Sequence, residues 1–351
     1  MQHTKRELIQ IQALPLAYKI SMTVARIEDW YQHWVGYSLD RKGRDPKGVY
    51  LSFSGGKDST ALQHVIKNHC IAVYDCPSVF VDTGLEYPEI RDFALEHADV
   101  VLHPKMPFNK VIKAYGYPII GKAQARGIRD LQNAHGQNDA TVNLRLTGYN
   151  RQGVYCPTQK LGDKWHHLKD APFKISEQCC DVMKKRPFKA YEKKSKRAPI
   201  VGSMCAESRL RENAWLANGC NAFEAKHPMS QPMAFWTEQD VLMYLFLYRV
   251  PYAPIYGEIR CTYNGKDCPP RAARRCLTEH PESAPKFKFY TTGVSRTGCM
   301  FCAFGAHLEK SPNRFEQMKE THPKQYAYCM KPTEEGGLGM AAVLDYIGVK
   351  Y

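Results

Sequence analysis

The chain has 351 residues, 44% of them hydrophobic, so it is long enough for one large α/β domain with appendages or for two domains. No apolar run approaches the roughly 18 residues of a membrane span, and the N-terminal residues lack the pattern of a secretory signal, so we expect a cytoplasmic protein without a membrane partner. The 49 Lys and Arg residues against 35 Asp and Glu residues give a net charge of +14, which favours a polyanionic partner such as nucleic acid over a basic surface that serves only solubility.

A helix and a linker are predicted first. Apolar residues recur at mostly helical spacing within residues 20–45, and they run into the polar stretch DRKGRDPKG. Residues 1–47 are therefore predicted to form an N-terminal helical extension.

Strand and helix patterns then alternate along the chain. They comprise the strand GVYLSFS, a helix over 59–68, the strand SVFVDTG over 78–84, a helix opened by Pro88, the segment DVVLHP over 99–104, the strand APIVGSM over 198–204, a helix from near Glu207 and a helix over 237–248. Alternation of this kind indicates βαβ crossovers, whose strands are parallel. We therefore expect an α/β, Rossmann-like fold in which helices flank a parallel sheet.

Two regions depart from this alternation. Residues 121–197 form a long basic stretch, which we interpret as a functional excursion within a domain over 48–250. The end of the excursion, KKRPFKAYEKKSKR over 184–197, interleaves cations with aromatic residues, which favours nucleic-acid binding. The residues after Pro251 are rich in Pro, Cys and Arg, so a Cys-rich C-terminal subdomain is predicted over 251–351.

The stretch SFSGGKDST lies where the first strand of this pattern ends and its helix begins. Two glycines, Gly55 and Gly56, allow the backbone to approach a phosphate, and amide groups at the start of the helix complete an anion site. The neighbouring side chains add a cation and two hydroxyl donors: Lys57, Ser54 and Ser59. A carboxylate at Asp58, beside a triphosphate, indicates Mg²⁺ coordination, helix capping or both.

The signature SGGKDS resembles the PP-loop of ATP pyrophosphatases, which cleave ATP between its α- and β-phosphates; it does not have the pattern of a Walker A loop. Further stretches resemble the phosphoadenosine phosphosulfate (PAPS) reductase family: VDTGLEYPE, EQCCDVMKKRP, IVGSMCAESRLR and MAFWTEQDVLMYL. The resemblance implies an adenine nucleotide alpha hydrolase-like fold and catalytic roles for Lys57, Asp58 and Arg209. The implied ATP-binding residues are Ser52, Phe53, Ser54, Gly55, Gly56, Lys57, Asp58, Ser59, Asp82, Thr83, Gly202, Glu207, Ser208 and Arg209.

Two groups of these implied ATP-binding residues also have simpler structural interpretations. Asp82 and Thr83 are also suited to cap the helix that follows them. Glu207 and Arg211 have the spacing of an exposed helical ion pair.

The 13 cysteines are better explained as thiols, metal ligands or catalytic groups than as a disulfide framework. Cys299 and Cys302 form a CxxC pair, and Cys179 and Cys180 are adjacent. Together they resemble the [4Fe-4S] ligands of adenylylsulfate reductases, with zinc as the main alternative and a redox CxxC as a weaker one. Because the spacing departs from that family, the fourth ligand is left open among Cys179, Cys205, Cys220 and Cys329.

The loop signature is intact, and the C-terminal stretch EEGGLGMAAVLDYIGVKY holds no cysteine, both unlike a typical sulfonucleotide reductase. The combination is more similar to DndC-type proteins of DNA phosphorothioation. It implies an ATP-dependent adenylating sulfurtransferase with ATP, Mg²⁺ and a [4Fe-4S] cluster, acting on DNA or tRNA, with a sulfur donor such as a cysteine desulfurase. The alternatives are a sulfonucleotide reductase, a tRNA thiolase and a non-catalytic nucleotide-binding module.

Overall fold

A computed structural model describes residues 3–35 and 48–351 of the chain. The chain divides into two compact units that are interleaved in sequence. Unit 1 comprises Met1–Asp82, Glu86–Leu102 and Phe188–Thr297, and unit 2 comprises Thr83–Leu85, His103–Pro187 and Gly298–Tyr351. The predicted domain boundary between residues 250 and 251 does not coincide with these limits and stays a prediction.

Eleven strands are assigned within the described residues. They are β1 Val49–Phe53, β2 Ser78–Val81, β3 Val100–Leu102, β4 Ile119–Ile120, β5 Ala198–Val201, β6 Asn221–Ala222, β7 Met229–Ser230, β8 Ile259–Tyr263, β9 Lys266–Cys268, β10 Phe287–Thr291 and β11 Ala303–Phe304.

Fourteen α-helices are assigned in the same described part of the chain. They are α1 Lys5–Gln12, α2 Leu16–Val35, α3 Lys57–His69, α4 Pro88–His97, α5 Phe108–Tyr115, α6 Lys122–Gln132, α7 Asp139–Thr147, α8 Arg186–Ser195, α9 Arg209–Asn218, α10 Glu238–Tyr248, α11 Pro270–Glu279, α12 Arg314–Thr321, α13 Pro323–Met330 and α14 Met340–Tyr346.

A six-stranded sheet forms the centre of unit 1, in the order β3-β2-β1-β5-β7-β6. Only the β6–β7 pair is antiparallel. The residues of β1 are almost fully buried because the strand pairs on both sides, with β2 and with β5. The predicted α/β fold with a mostly parallel sheet flanked by helices is confirmed.

The chain leaves β1 at the point in the sheet where the strand order reverses, with β2 and β3 on one side and β5 on the other. In open α/β sheets this switch point, at the carboxyl ends of the strands, is where ligands bind. The loop between β1 and α3 therefore lies at the position where open α/β sheets bind ligands.

A second sheet in unit 1 has the antiparallel order β10-β8-β9. It brings Cys261 opposite Cys268, and it belongs to the region that the sequence assigned to a Cys-rich C-terminal subdomain. Residues 298–351 of that region belong to unit 2.

Unit 2 combines segments from both sides of the unit 1 segment Phe188–Thr297. Strand β4, just before the predicted basic excursion, pairs in parallel with β11, so that Ile119 lies opposite Ala303. The helices α12, α13 and α14 pack on one another around fully buried side chains such as Phe315 and Met340.

Most predicted elements lie close to their observed bounds. Helix α3 begins two residues before the predicted start at 59, because Gly56 already acts as its N-cap. Helix α9 begins at Arg209, while Glu207 ends a short 3₁₀ turn. The predicted excursion holds the helices α6, α7 and α8. The predicted linker falls on residues 36–47, outside the described residues.

Across residues 3–35 and 48–351, no helix combines the length and the apolar character required to cross a membrane.

A buried ion pair ties the N-terminal helix α2 to α10 in unit 1. The Lys19 ammonium lies 2.8 and 2.7 Å from the two carboxylate oxygens of Asp240, and the Lys19 side chain is 2% exposed. Asp240 also accepts from the backbone and hydroxyl of Thr237 in the capping box that begins α10. The pair therefore joins a helix start to a distant helix through one carboxylate.

We expect Asp240→Ala to lower the free energy of unfolding by about 3–5 kcal/mol, because it leaves a buried ammonium without its counter-charge. Adding Lys19→Met to the same chain removes that unpaired charge and is expected to restore part of the loss. Chemical denaturation of the three proteins measures both values. A double variant no more stable than Asp240→Ala would contradict the role of the buried charge.

Candidate functional site

The loop between β1 and α3 depends on the left-handed backbone of Gly55. Its φ is +71°, and a side chain there would bring a Cβ within 2.8 Å of the Ile90 carbonyl oxygen and 2.9 Å of the Ala94 Cβ in α4. Only glycine fits both constraints. Close packing on α4 therefore requires the first glycine of the SGGKDS stretch.

Hydroxyl groups hold the loop against the first turn of α3. The Ser54 and Ser59 Oγ atoms lie 3.0 Å apart, and the Ser54 backbone N–H donates to Ser59 Oγ at 3.2 Å. Ser59 and Thr60 both donate to the Gly56 carbonyl at 3.0 Å. The two serines therefore shape the loop internally, while Ser52 and the buried Phe53 belong to β1.

Lys57, the first residue of α3, is buried and surrounded by polar groups. Its Nζ donates to the Ser295 carbonyl at 3.0 Å and lies 3.2 Å from Glu238 Oε1 and 3.9 Å from Asp58 Oδ1. Its backbone N–H donates to the Tyr256 hydroxyl at 3.3 Å. Both its amide and its ammonium therefore face the same small polar region of unit 1.

Asp58 holds a buried acceptor that no neighbour satisfies. Its Oδ1 is buried and accepts no hydrogen bond within the described part of the chain. Burial raises the pKa of the Asp58 carboxyl, and the positive charges of Lys57, Arg296 and Arg211 offset this only in part. An unsatisfied buried carboxylate is costly, so its presence here points to a ligand role.

Three charged side chains lie beside this carboxyl. Glu207 Oε1 accepts from Arg296 at 2.8 Å, and Glu207 Oε2 forms an ion pair with Arg211. Oε2 also accepts from the Met204 backbone N–H at 2.9 Å, which closes the 3₁₀ turn before α9. Arg211 and Arg296 therefore share one carboxylate.

The remaining residues predicted for this site have different environments. Gly202 brings the end of β5 close to the start of α3, since a Cβ there would lie 3.3 Å from the Asp58 carbonyl oxygen. Ser208 caps α9 by accepting from the Arg211 backbone N–H at 3.3 Å. Arg209 is exposed and forms no ion pair with any described residue.

Asp82 and Thr83 follow β2, as predicted, and both are buried. The Asp82 carboxylate accepts two hydrogen bonds from the Arg91 guanidinium, at 2.9 and 2.7 Å. Thr83 Oγ1 accepts from the Leu85 backbone N–H at 3.2 Å and belongs to the segment grouped with unit 2. Both residues therefore have structural partners in addition to the predicted ligand role.

The sequence analysis did not predict four residues of this region as site residues: Tyr256, Ser295, Arg296 and Thr297. The Tyr256 hydroxyl lies 2.7 Å from Thr297 Oγ1, and both oxygens lie beside Gly56. The stretch Ser-Arg-Thr-Gly before the CxxC pair was the available signal, because it combines hydroxyl groups, a cation and a glycine.

The cysteine quartet, defined as Cys179, Cys180, Cys299 and Cys302, lies entirely in unit 2. The Sγ atoms of Cys179 and Cys180 lie 3.9 Å apart, and the charges of Cys299 and Cys302 also act on Cys179. The two pairs of thiols, which are far apart in sequence, thus lie within electrostatic range of each other in unit 2.

In the adjacent pair Cys179 and Cys180, the electrostatic environment favours the thiolate form of Cys180. The hydrogen bond from Cys179 lowers the pKa of Cys180 to about 6, aided by the positive charges of Lys122, Lys184 and Lys185. The same hydrogen bond, together with burial, raises the pKa of Cys179. Thiolates are the ligands of iron–sulfur clusters and of structural zinc, so the donor chemistry fits a thiolate-bound metal.

Within residues 3–35 and 48–351, no three His, Cys, Asp or Glu side chains converge closely enough to hold a metal ion as they stand. Of the alternative ligands, Cys329 is fully buried in α13 of unit 2, whereas Cys205 and Cys220 belong to unit 1. The ligand set therefore stays a prediction.

We expect Asp58→Asn to raise the free energy of unfolding by about 1 kcal/mol at pH 8, because it removes a buried, unsatisfied charge. Since the folded-state pKa of Asp58 is raised, ionisation destabilises the fold as pH increases, and the gain should vanish at a pH below the carboxyl's unfolded-state pKa. Denaturation at several pH values measures this difference.

Asp82→Asn is the matched control for this experiment. It breaks the paired hydrogen bonds from Arg91 and should lower stability at pH 8. If Asp58→Asn were destabilising to the same degree, the Asp58 carboxylate would have a structural partner.

Residues 140–303 match the family model described as the phosphoadenosine phosphosulfate reductase domain. The matched stretch, slightly less than half of the chain, includes the cysteine quartet and Arg209 and leaves out the loop at 54–59. The match supports a relationship to the PAPS reductase family.

Among solved structures, the chain is similar to a phosphoadenylyl-sulfate (PAPS) reductase from Candida auris, determined as a phosphate complex. The TM-score is 0.33 at 12% sequence identity, and the alignment covers 72% of this chain and 91% of that chain. No match was found among curated protein sequences.

Proposed function

We propose that the chain is an ATP-dependent adenylating enzyme of the PP-loop type within the PAPS reductase family. One observation carries this proposal: the glycine loop at the carboxyl end of β1 combines a buried Lys57 with the unsatisfied carboxylate of Asp58. A buried cation beside an unsatisfied anion suits a ligand that brings both phosphates and a divalent metal.

Different residues would contact different parts of such a ligand. Asp58 would hold Mg²⁺ through its unsatisfied Oδ1, and the metal would neutralise charge on the phosphates of ATP. The Lys57 ammonium would contact a phosphate oxygen in exchange for the Ser295 carbonyl. Backbone amides at the start of α3 complete the cradle, because they carry the positive end of the helix dipole.

The proposed reaction is adenylation of a substrate oxygen. An anionic oxygen attacks the α-phosphorus of ATP, a new P–O bond forms, and the bond to the α,β-bridging oxygen breaks. Pyrophosphate leaves with the bonding electrons, and no oxidant or reductant is needed. Adenylation makes the substrate oxygen part of a good leaving group. A sulfide-level sulfur nucleophile then bonds to the atom that carried this oxygen, and the oxygen leaves with the bonding electrons as part of AMP.

The sulfur-transfer step and its nucleic-acid substrate rest on two further features. Four thiols of the cysteine quartet supply suitable ligands for a [4Fe-4S] cluster, with zinc as the alternative. The net charge of +14 suits DNA or tRNA as the substrate, and a cysteine desulfurase suits the role of sulfur donor. We therefore propose a DNA phosphorothioation-like sulfurtransferase, with tRNA thiolation as the variant for RNA.

The family match favours a second candidate, a sulfonucleotide reductase. The matched residues 140–303 include the cysteine quartet but not the loop on which adenylation depends. Such an enzyme would release sulfite from a sulfonucleotide, a two-electron reduction in which a dithiol reductant is oxidised to a disulfide, and would leave ATP intact. Parallel assays of sulfite and of pyrophosphate therefore separate the two candidates.

We expect the protein to release AMP and pyrophosphate from Mg²⁺-ATP when duplex DNA or tRNA is present. Lys57→Ala and Asp58→Ala should each reduce the rate by at least about 100-fold, because they remove charges directed at the phosphates. Chromatographic AMP and enzymatic pyrophosphate assays measure the rates.

Lys67→Ala is the control, because Lys67 is an exposed lysine at the opposite end of α3. Since Lys57 is buried, Lys57→Met provides a variant that keeps the packing volume. Unchanged pyrophosphate release in the Lys57 and Asp58 variants would remove the catalytic role of the loop.

Protein prepared without oxygen should be brown, contain iron and bleach in air. Cys299→Ala and Cys302→Ala should each lose the iron while keeping most of the nucleotide affinity, since the loop at 54–59 is built without these thiols. Iron analysis and absorption spectra give the first result, and ATP titration gives the second.

Cys156→Ala is the matched control, because Cys156 belongs to unit 2 but not to the cysteine quartet. A colourless protein that contains about one zinc per chain would show that the bound metal is zinc and not iron. Full iron content in the Cys302 variant would exclude that residue as a ligand.

A further inference from the structure

The hairpin formed by β8 and β9 brings two cysteines to directly opposite positions in unit 1. The two strands are joined by Asn264 and Gly265, whose φ values of +47° and +79° are both left-handed. Two consecutive residues of this kind form the tight turn of a two-residue hairpin, which fixes the register of its strands. In that register Cys261 pairs with Cys268, so two residues that are seven positions apart in sequence become direct neighbours across the sheet.

The register supplies the backbone spacing of a disulfide bond. Residues directly opposite each other in an antiparallel pair have Cα atoms about 4.5–5.5 Å apart and point to the same face of the sheet. Cysteines joined by a disulfide have Cα atoms about 4.4–6.8 Å apart, and their Cβ atoms lie about 1 Å closer than in an unbonded pair. Strand β9 can make this small movement, because it is a three-residue strand at the edge of its sheet.

The two thiols lie beside each other. The Cys261 Sγ atom lies 3.9 Å from the carbonyl oxygen of Cys268. Burial raises the pKa of Cys261 to about 11, and the charge of the Cys268 thiol and a hydrogen bond with it contribute to this increase. Because a hydrogen bond between two thiols requires neighbouring sulfur atoms, only a small side-chain movement is needed to join them.

The two cysteines differ in their access to solvent. Cys261 is 2% exposed and lies opposite Phe289 of β10, within the hydrophobic core of unit 1. Cys268 is half-buried, at the last position of the edge strand β9. An oxidant that arrives from solvent therefore meets Cys268 first, and Cys261 is the neighbouring thiol in the core.

We propose that Cys261 and Cys268 form a redox-modification site, a dithiol that hydrogen peroxide converts into a disulfide. The Cys268 thiolate attacks peroxide: an S–O bond forms, the O–O bond breaks, and the departing hydroxide takes up the proton that the thiol released. The Cys261 sulfur then attacks the resulting sulfenic acid, an S–S bond forms, and the oxygen leaves with the Cys261 proton as a second water. In total the two thiols lose two electrons and two protons, and one peroxide molecule becomes two water molecules.

This inference goes beyond the proposed function, because it needs neither ATP nor a bound metal. Both residues belong to the segment Phe188–Thr297 of unit 1, whereas the cysteine quartet belongs to unit 2. The disulfide ties the end of β9 to β8, which also pairs with β10. Oxidation therefore adds a covalent bond to an edge strand that is otherwise held by backbone hydrogen bonds and packing.

Peptide mapping of the full-length protein tests the site. Protein prepared without oxygen is treated with hydrogen peroxide in its folded state, and the remaining thiols are alkylated before digestion with trypsin. Cleavage after Arg260, Lys266 and Arg271 separates the two cysteines into the peptides CTYNGK and DCPPR. The disulfide-linked pair of these peptides should be at least about tenfold more abundant than in protein kept with a dithiol reductant, and the reductant should remove it again.

Single variants test the order of the two steps. In Cys261→Ala, peroxide should leave Cys268 as a sulfenic acid, which a 1,3-diketone such as dimedone traps. In Cys268→Ser, the buried Cys261 should stay unmodified. Cys276→Ser is the matched control: Cys276 lies in α11, which packs on β8, and its Sγ is 3.4 Å from Ser283 Oγ, so this variant should keep the linked peptides. Thermal unfolding of each reduced variant confirms that it is folded.

The inference is overturned if peroxide produces no link between the two peptides in the folded protein, or if Cys261 is linked to Cys276 as often as to Cys268. Trapping of Cys261 in the Cys268→Ser variant, to the extent seen for Cys268 in Cys261→Ala, would overturn the assignment of Cys268 as the attacking thiol. These results are independent of pyrophosphate release and of iron content, so they leave the proposed function to its own tests.

Discussion

The left-handed backbone of Gly55 sets the turn that places Lys57 and Asp58 at the start of α3. With its φ of +71° and Ile90 and Ala94 packed against it, the chain turns from β1 into α3 at one fixed angle. Gly202 allows the end of β5 to lie against the first turn of the same helix. Two close backbone approaches therefore position Lys57 and Asp58, and every charged group around them depends on that placement.

The site is organised around charges that the fold does not fully satisfy. Asp58 has a buried oxygen without a hydrogen-bond donor among the described residues, and Glu207 serves two arginines at once. By contrast, Asp82 and Asp240 each have a well-matched cationic partner. Asp82 and Asp240 thus have one matched cation each, whereas Asp58 keeps a buried oxygen that is open to a ligand.

The sequence predicted those parts of the fold and site that depend on local pattern. The strands β1, β2 and β5 and the glycine loop follow from apolar runs and turn residues, because neighbouring residues determine them. Tyr256 and Ser295 could not be found this way, since they contact Lys57 from 199 and 238 residues away in the sequence. Arg209 stays a prediction for the site; the sequence alone could not show that the charge of Arg211, two positions later in α9, acts on Asp58.

The interleaving of the two units has a consequence for synthesis on the ribosome. Unit 1 includes both Met1–Asp82 and Phe188–Thr297, so Lys57 and Asp58 are made long before Ser295 and Arg296. Residues 103–187 of unit 2 likewise emerge before the segment 298–351 that completes their packing. A nascent chain that stops near residue 250 therefore exposes unfinished surfaces of both units until the remaining segments are made.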